Sequence, residues 1–452
     1  MTDVGLAAGA PARADPIDPT LLPRTAAVDA NGRLSIGGVD CEALADEFGT
    51  PLYVYDEDDL RARCREYAAG FPDGVAYAAK AFVCGAMAQL VVEEGLDLDV
   101  ASVGELHLAL SAGTPPSRIT MHGNNKTEAE LRMGLNVGVG RIVVDSHDEL
   151  DRLAVIAAQG AGGSTLLVRV NPGVDAHTHE YLATGVLDAK FGFPLADGEA
   201  LTAVRRILDL DATRFGGLHC HIGSQIFGRE AFDAALERLV GLVAEIEHLG
   251  VDVPELNLGG GLGVRYTLAD DAPTIARHAA WLHESLGGAL AASGVRSRPR
   301  LTTEPGRSIA APPGVTLYRV GTIKVIRGVR TYVSVDGGLS DNPRPALYGA
   351  EYETFVPTRA AARRTRAVTI AGAHCEQGDL LVREAAVPAE LAVGDLLCLP
   401  VTGAYGHSMA SNYNAFLRPA VVFVRAGRAR VVVRRETIDD LLARDLCKTG
   451  SR

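Results

Sequence analysis

Between Val75 and Ser308 the chain repeats one unit eight times: a short apolar run, then polar residues or glycines, then in most gaps a segment with helical spacing. The runs are VAYAAK, LDLDVAS, RITMHGNNK, RIVVDS, LLVRVNP, GGLHCHIGS, LNLGGGLG and LTTEPGRS. CGAMAQLVVEEG, GELHLALSAG, DELDRLAVIAAQG and REAFDAALERLVGLVAEIEHLG lie between them, with apolar residues recurring every three or four positions. Alternation repeated this often predicts an α/β chain built on a (β/α)8 TIM-like barrel; a doubly wound sheet usually has fewer strands. The barrel is expected over residues 56–308, with DEDDLRARCREYAAGF as its first helix and Asp56 as the N-cap.

After Ser308 the rhythm changes. TLYRVGTIKVI, RTYVSVDGG, AVTIAG, DLLVREA, DLLCLPVTG and AVVFVRAGRARVVVRRE are β-rich runs split by Gly, Pro and Asp, with AGRA as a hairpin turn. They predict a mostly antiparallel β domain over residues 309–452, which LSIGGVD and PLYVYD, within residues 26–55, are expected to join. Residues 1–25, rich in Ala, Pro and Asp, read as a disordered tail; their start lacks the basic region and apolar core of a signal peptide.

A net charge of −12 argues against a nucleic-acid or anionic-membrane surface, so an anionic substrate would need local arginines. Seven scattered cysteines, at 41, 64, 84, 220, 375, 398 and 447, form no CxxC pair. They fit reduced thiols in a cytoplasmic protein better than disulfides or a zinc site. No apolar run is long enough to span a bilayer.

The apolar runs end in Lys80, Ser102, His122, Asn124, Asp145, Arg169, His221, Ser224, Gly259 to Gly261, Glu304 and Arg307. In this barrel the C-terminal strand ends converge on one mouth, where active sites are built. Lys80, in AYAAKAF, has a plain alternative: it lies past the strand end and its head reaches water. Gly259-Gly260-Gly261-Leu262-Gly263 follows the seventh strand, where a glycine loop either makes a tight turn or brings amides to an anion. Ser224 would add a hydroxyl donor. A phosphate there, across from a lysine, suggests pyridoxal phosphate held by Lys80 as a Schiff base. Glu304 is the natural partner of the pyridine nitrogen, although it could instead pair with Arg307. His221 either stacks on the ring or is a core histidine. His219 and His221 face the same way on their strand, but no third ligand falls at suitable spacing, and no metal is assigned.

The motifs together resemble the diaminopimelate decarboxylases, pyridoxal-phosphate enzymes that pair an alanine-racemase-like barrel with a β domain. They are AYAAKAF, HGNNKT (122–127), HIGSQ (221–225), GGGLG (259–263) and EPGRS (304–308). DGGLSDNPRPALY (336–348), HCEQGD (374–379), GAYGHSMASNYN (403–414) and AHTHEYLATG (176–185) complete the set. The resemblance runs from about residue 33 to about residue 440. It implies decarboxylation of meso-2,6-diaminopimelate to L-lysine, the last step of lysine biosynthesis.

Carried over residue by residue, Lys80 resembles the Schiff-base lysine and His221 the ring-stacking histidine. Ser224 and Gly261, with Gly260 beside it, resemble phosphate contacts, and Tyr405 a tyrosine near the phosphate. Glu304, followed by Pro305 and Gly306, resembles the pyridine-nitrogen partner. Arg307, Arg344, Tyr348 and Glu376, with Tyr405, resemble substrate-gripping positions, and Cys375 the acid that returns a proton after carbon dioxide leaves. Two arginines suit a substrate with a carboxylate distant from the reacting centre. The resemblance also implies a homodimer whose HCEQGD segment reaches across the two-fold interface. One departure touches specificity: Gln377 stands where the family usually has serine. A non-catalytic pyridoxal-phosphate carrier would lack the second domain. A racemase would not need the cysteine–glutamate pair and the two arginines.

Overall fold

The computed structural model describes residues 16–160, 163–174, 189–210 and 213–446. The AHTHEYLATG motif, residues 1–15 of the tail and Cys447 lie outside the described residues. The chain divides into two compact units: one of residues 61–264 and 271–309, the other of the described residues up to 60, Arg265–Asp270 and 310 onward. Among the described residues no helix is long and apolar enough to cross a membrane.

The first unit is a nearly closed barrel of eight parallel strands: Ala76–Ala78, Asp97–Val100, Ile119–Met121, Arg141–Val144, Thr165–Asn171, Arg214–His219, Glu255–Asn257 and Arg300–Thr302. Each pairs in parallel with its sequence neighbour. The first and eighth strands meet through a Val75–Thr303 bridge, and the Ala76 and Ala78 amides donate to the Thr303 and Pro305 carbonyls, both at 3.0 Å. The short strand Phe193–Pro194 adds to the edge of Thr165–Asn171.

Buried strands of three to seven residues require helices to cover the outside of the barrel, and the periodicity of those helices shows how they do so. In Glu230–Glu247 the buried side chains are Phe232, Ala235, Leu236, Leu239, Val240, Leu242, Val243 and Ile246, a stripe at the helical period. Helix starts carry local caps. Ser102 and Ser146 accept from the amides of Glu105 and Glu149, at 3.2 and 3.3 Å. Ser102, grouped in the sequence with chemically interesting strand ends, is therefore used in capping.

The second unit is built on an eight-stranded sheet. Leu52–Asp56 lies in its middle, antiparallel to Gly314–Ile326 and parallel to Ala420–Arg425. This placement explains why LYVYD is buried at every position. Leu52, Val54, Val315, Leu317, Leu396, Cys398, Val422 and Val424 form the core with Leu34, Ile36 and Leu44. At roughly 2 kcal/mol for each fully buried aliphatic side chain, that cluster stabilises the unit strongly. The hairpin Ala420–Arg425/Arg428–Val433 turns on Ala426 and Gly427, at φ +50° and +74°, the two left-handed positions of a two-residue turn. Asp56 receives the Asp59 amide at 3.2 Å and so starts the helix Glu57–Gly70.

Candidate active site

The barrel unit carries a buried carboxylate with unusual company. Glu304 follows the eighth strand, and its Oε1 accepts from His122 Nε2 at 3.0 Å and from Asn257 Nδ2 at 2.9 Å. Its Oε2 accepts from His219 Nε2 at 3.0 Å. The two imidazoles meet edge to face, their centroids 4.9 Å apart. Asp99 Oδ1, from the second strand, stands 3.6 Å from His122 Nε2.

Charge follows from this arrangement. Burial works against an ionised Glu304, but the facing His122 and His219 outweigh it and hold the carboxyl well below its usual range. Burial also opposes a charged His122, and Asp99 and Glu304 overcome it, so its pKa is raised. His219 goes the other way: burial pushes it down to about 4 despite Glu304. Its Nδ1 has no partner among the described residues, as suits a neutral ring that donates through Nε2. Burial raises Asp99 to about 6, against the pull of His122. A carboxylate offers about four acceptor sites. Among the described residues three are used here, leaving one on Oε2.

Spacing in the sequence offered His219 and His221 no third metal ligand, whereas in space His122, His219 and Glu304 bring ligand-type atoms within 4.8 Å of one another. Their 3.0 Å contacts are carboxylate–imidazole hydrogen bonds.

A second feature lies on the loops after strands six to eight. The Gly259 amide donates to Asn257 Oδ1 at 2.8 Å, and its carbonyl accepts from the Glu304 amide at 2.7 Å. A Cβ on Gly260 would lie 2.5 Å from the Glu304 carbonyl, and one on Gly261 would lie 2.9 Å from the Gly223 carbonyl. Only glycines fit this path. The amides of Gly260 and Gly261 donate to nothing among the described residues. Beside them Arg307 donates to Ser224 Oγ through Nε at 3.1 Å and Nη2 at 2.9 Å. A Cβ on Gly306 would meet Ala81 Cβ at 2.9 Å, so the Pro305–Gly306 turn packs directly under the lysine segment.

Lys80 lies in a single turn, Ala79–Ala81, just past the first strand, and it is exposed while Ala79 and Ala81 are buried. Its charge bears on Asp99, Glu105 and His221. His221 is part-buried, and burial, followed by Lys80 and Arg169, holds it well below its ordinary value, so the ring is neutral. The barrel unit therefore brings Lys80, His221, Ser224, Gly260, Gly261, Glu304, Pro305, Gly306 and Arg307 to one end. An anion cradle, a buried carboxylate and a lysine there suit pyridoxal phosphate. Asn257 and Asp99 were missed in the sequence. Asn257, a polar residue inside the apolar run LNLGGGLG, was the available signal.

The β unit carries the remaining candidates. Arg344 is buried; it donates to Tyr352 Oη and lies 4.4 Å over the Tyr266 ring. Tyr266 belongs to Arg265–Asp270, the short stretch that groups with this unit. Burial opposes the guanidinium charge, but the phenols of Tyr266 and Tyr352 outweigh it. Tyr405, held at φ +62°, also bears electrostatically on Arg344. Tyr348 is half-buried, one turn along the same short helix, Arg344–Tyr348. Cys375 and Glu376 are exposed, unlike the five other described cysteines, which are buried.

The imidazoles give a direct test. His122, raised above its ordinary 6.5, contributes stability that is complete below about pH 6.5 and lost as pH climbs through its folded value. In cofactor-free protein, histidine NMR should show His122 titrating above 6.5 and His219 staying neutral down to about pH 4. Asp99→Asn should lower the His122 midpoint. A His122 midpoint below 6.5 contradicts the charge assignment.

Residues 57–311 match the family model for the pyridoxal-dependent decarboxylase, pyridoxal binding domain. The chain is 48% identical over 428 residues to the diaminopimelate decarboxylase of Corynebacterium efficiens, covering 93% of each. It is similar to the structure of the M. jannaschii diaminopimelate decarboxylase in complex with L-lysine: TM-score 0.87, 33% identity, 94% of this chain and 98% of that one. The Helicobacter pylori diaminopimelate decarboxylase, also complexed with L-lysine, gives a TM-score of 0.80 at 29% identity, covering 89% of this chain and 98% of that one. A pyridoxal-binding barrel with this cradle, a β unit with a buried arginine, and likeness along nearly the whole length agree: the chain belongs to the diaminopimelate decarboxylases, within the pyridoxal-dependent decarboxylase family.

Proposed function

We propose that the chain decarboxylates meso-2,6-diaminopimelate to L-lysine and carbon dioxide, with Lys80 and Cys375 as the groups that carry the chemistry. The observation that supports this most is Glu304, a buried carboxylate kept anionic, with one acceptor site left over among the described residues, beside a glycine cradle whose amides donate to none of them. Bound pyridoxal phosphate supplies an electron sink for the pair left on carbon when carbon dioxide departs.

The residues around it have separate tasks. Lys80 would anchor the cofactor covalently. Glu304 would accept the pyridine N–H, and an anionic partner there would keep that nitrogen protonated. His221, neutral, would pack on the ring face without adding a repelling charge. Ser224 and the Gly260 and Gly261 amides would hold the phosphate, with Arg307 fixing the serine hydroxyl, and the family resemblance gives Tyr405 a place near the phosphate.

Substrate recognition falls to Arg307, Arg344, Tyr348 and Glu376. The Arg344 fork, already ordered by Tyr266 and Tyr352, loses little freedom on binding a carboxylate bidentately. Ornithine and lysine have no distal carboxylate to engage such a fork. Cys375 Sγ–H gives its proton to the carbon that has lost carbon dioxide, and the thiolate recovers a proton from water. The diaminopimelate decarboxylases of M. jannaschii and Helicobacter pylori are both seen with L-lysine, which is the product expected here. The reading places the protein in the cytoplasm, where free thiols persist.

The activity is tested by carbon dioxide release from meso-diaminopimelate, ornithine, arginine and lysine. The expected kcat/KM favours diaminopimelate by at least about a thousandfold, because an unmatched buried guanidinium penalises substrates without the carboxylate. Preference for a diamine monocarboxylic acid would overturn the assignment.

Cys375 and Glu376 are exposed. In this reading they serve the Lys80 of a second subunit, giving a homodimer with two equivalent shared sites. Mixing Lys80→Ala and Cys375→Ala chains under subunit exchange should restore up to about a quarter of wild-type activity, since one site in each mixed dimer is intact. No recovery from demonstrated heterodimers would mean that each chain completes its own site.

A further inference from the structure

The residues that present Cys375 are held by a carboxylate outside the catalytic set. The segment His374–Asp379 links the antiparallel strands Arg366–Ala371 and Leu380–Val387. Its two ends are buried, and the residues between them, Cys375, Glu376, Gln377 and Gly378, are exposed. Asp379 Oδ2 accepts from the His374 amide at 2.9 Å and from His374 Nδ1 at 2.8 Å, closing the segment into a ring. The His374 ring packs on Phe416, centroids 4.3 Å apart, and the Cys375 amide donates to Asn414 Oδ1 at 3.2 Å.

The same carboxylate reaches a second loop. Asp379 Oδ1 accepts from the Leu339 amide at 2.7 Å, and the Ala373 amide donates to the Gly337 carbonyl at 2.8 Å. Leu339 lies in DGGLSDNPRPALY, which runs directly into the helix Arg344–Tyr348. Two glycines make room for this joint. A Cβ on Gly338 would stand 2.5 Å from both Asp379 oxygens and 2.7 Å from His374 Nδ1; one on Gly372 would stand 2.1 Å from Oδ2. The backbone of both loops is thus shaped around one buried carboxylate.

We propose that Asp379, with His374, is a positioning pair that locks the segment presenting Cys375, Glu376 and Gln377 to the loop that carries Arg344 and Tyr348. The inference rests on the reading of Cys375 as proton donor and Arg344 as substrate clamp, and adds that one hydrogen-bonded pair sets both. Loss of either member lets both groups drift, so binding and proton delivery fail together. Asparagine at 374 places an N–H close to the position of His Nδ1, so it preserves the clip.

The test uses the full-length, cofactor-loaded enzyme and three variants: Asp379→Ala, His374→Ala and His374→Asn. Steady-state kinetics with meso-diaminopimelate are measured alongside the rate of Cys375 alkylation by iodoacetamide, mapped by mass spectrometry. Both alanine variants should lower kcat and raise KM by about tenfold each, with the visible absorbance of bound cofactor retained and the Cys375 alkylation rate altered. His374→Asn should stay within about threefold of wild type on all counts. Wild-type kinetics and alkylation in either alanine variant would overturn the proposal, as would a His374→Asn variant as impaired as His374→Ala. If Asp379→Ala does not fold, the two His374 variants decide alone. If Cys375→Ala keeps wild-type kcat, the proton-donor reading fails instead, and the alkylation rates still report on the clip.

Discussion

An anion buried inside a barrel needs compensation, and the site depends on how Glu304 obtains it. Removing a carboxylate from water carries an effective penalty of several kcal/mol, and taking away one partner of such a group leaves the charge exposed to that penalty. His122 follows the third strand, His219 ends the sixth, Asn257 ends the seventh and Glu304 follows the eighth. These partners are separated by as many as 182 residues, so only a formed barrel assembles them. Fold and charge state are therefore one problem. Asp99, from the second strand, adds the counter-charge that lets His122 stay protonated beside Glu304.

The β unit solves a parallel problem for a cation. Arg344 is buried, yet aromatic faces and a phenol oxygen replace the water it loses, and its fork is ordered before any substrate arrives. Under the proposed function the labour divides: the barrel holds the group that accepts electrons, and the β unit would supply recognition and, through Cys375, the returning proton. Buried carboxylate–imidazole hydrogen bonds fix the supporting geometry on both sides, Glu304 with His122 and His219 and Asp379 with His374.

Much of this was legible in the sequence because it is periodic. The eight apolar runs are the eight parallel strands, and the change of rhythm after Ser308 is the change to a mostly antiparallel sheet. Strand-end chemistry was legible too, since a barrel sends every C-terminal end to one mouth. Contacts made across the barrel were not. Nothing local ties His122 to Glu304, so the spacing of His219 and His221 offered no third ligand, whereas in space His219 is joined by His122 and by the carboxylate already assigned to a pyridine nitrogen. Ser102 looked functional by position, yet its hydroxyl caps a helix, a local role that SxxE spacing does encode. The stretch Arg265–Asp270, which gives Arg344 its aromatic support, carries no periodic signal at all.

An anionic carboxylate at position 304 is what the barrel is arranged to keep. Glu304→Gln keeps the size and part of the hydrogen bonding but removes the charge. In cofactor-saturated enzyme, the rate of carbon dioxide release from meso-diaminopimelate by this variant should fall by at least about a hundredfold, the scale of losing one preorganised electrostatic contact, while the cofactor stays bound. A variant that binds the cofactor and decarboxylates within a few-fold of wild type would contradict the account.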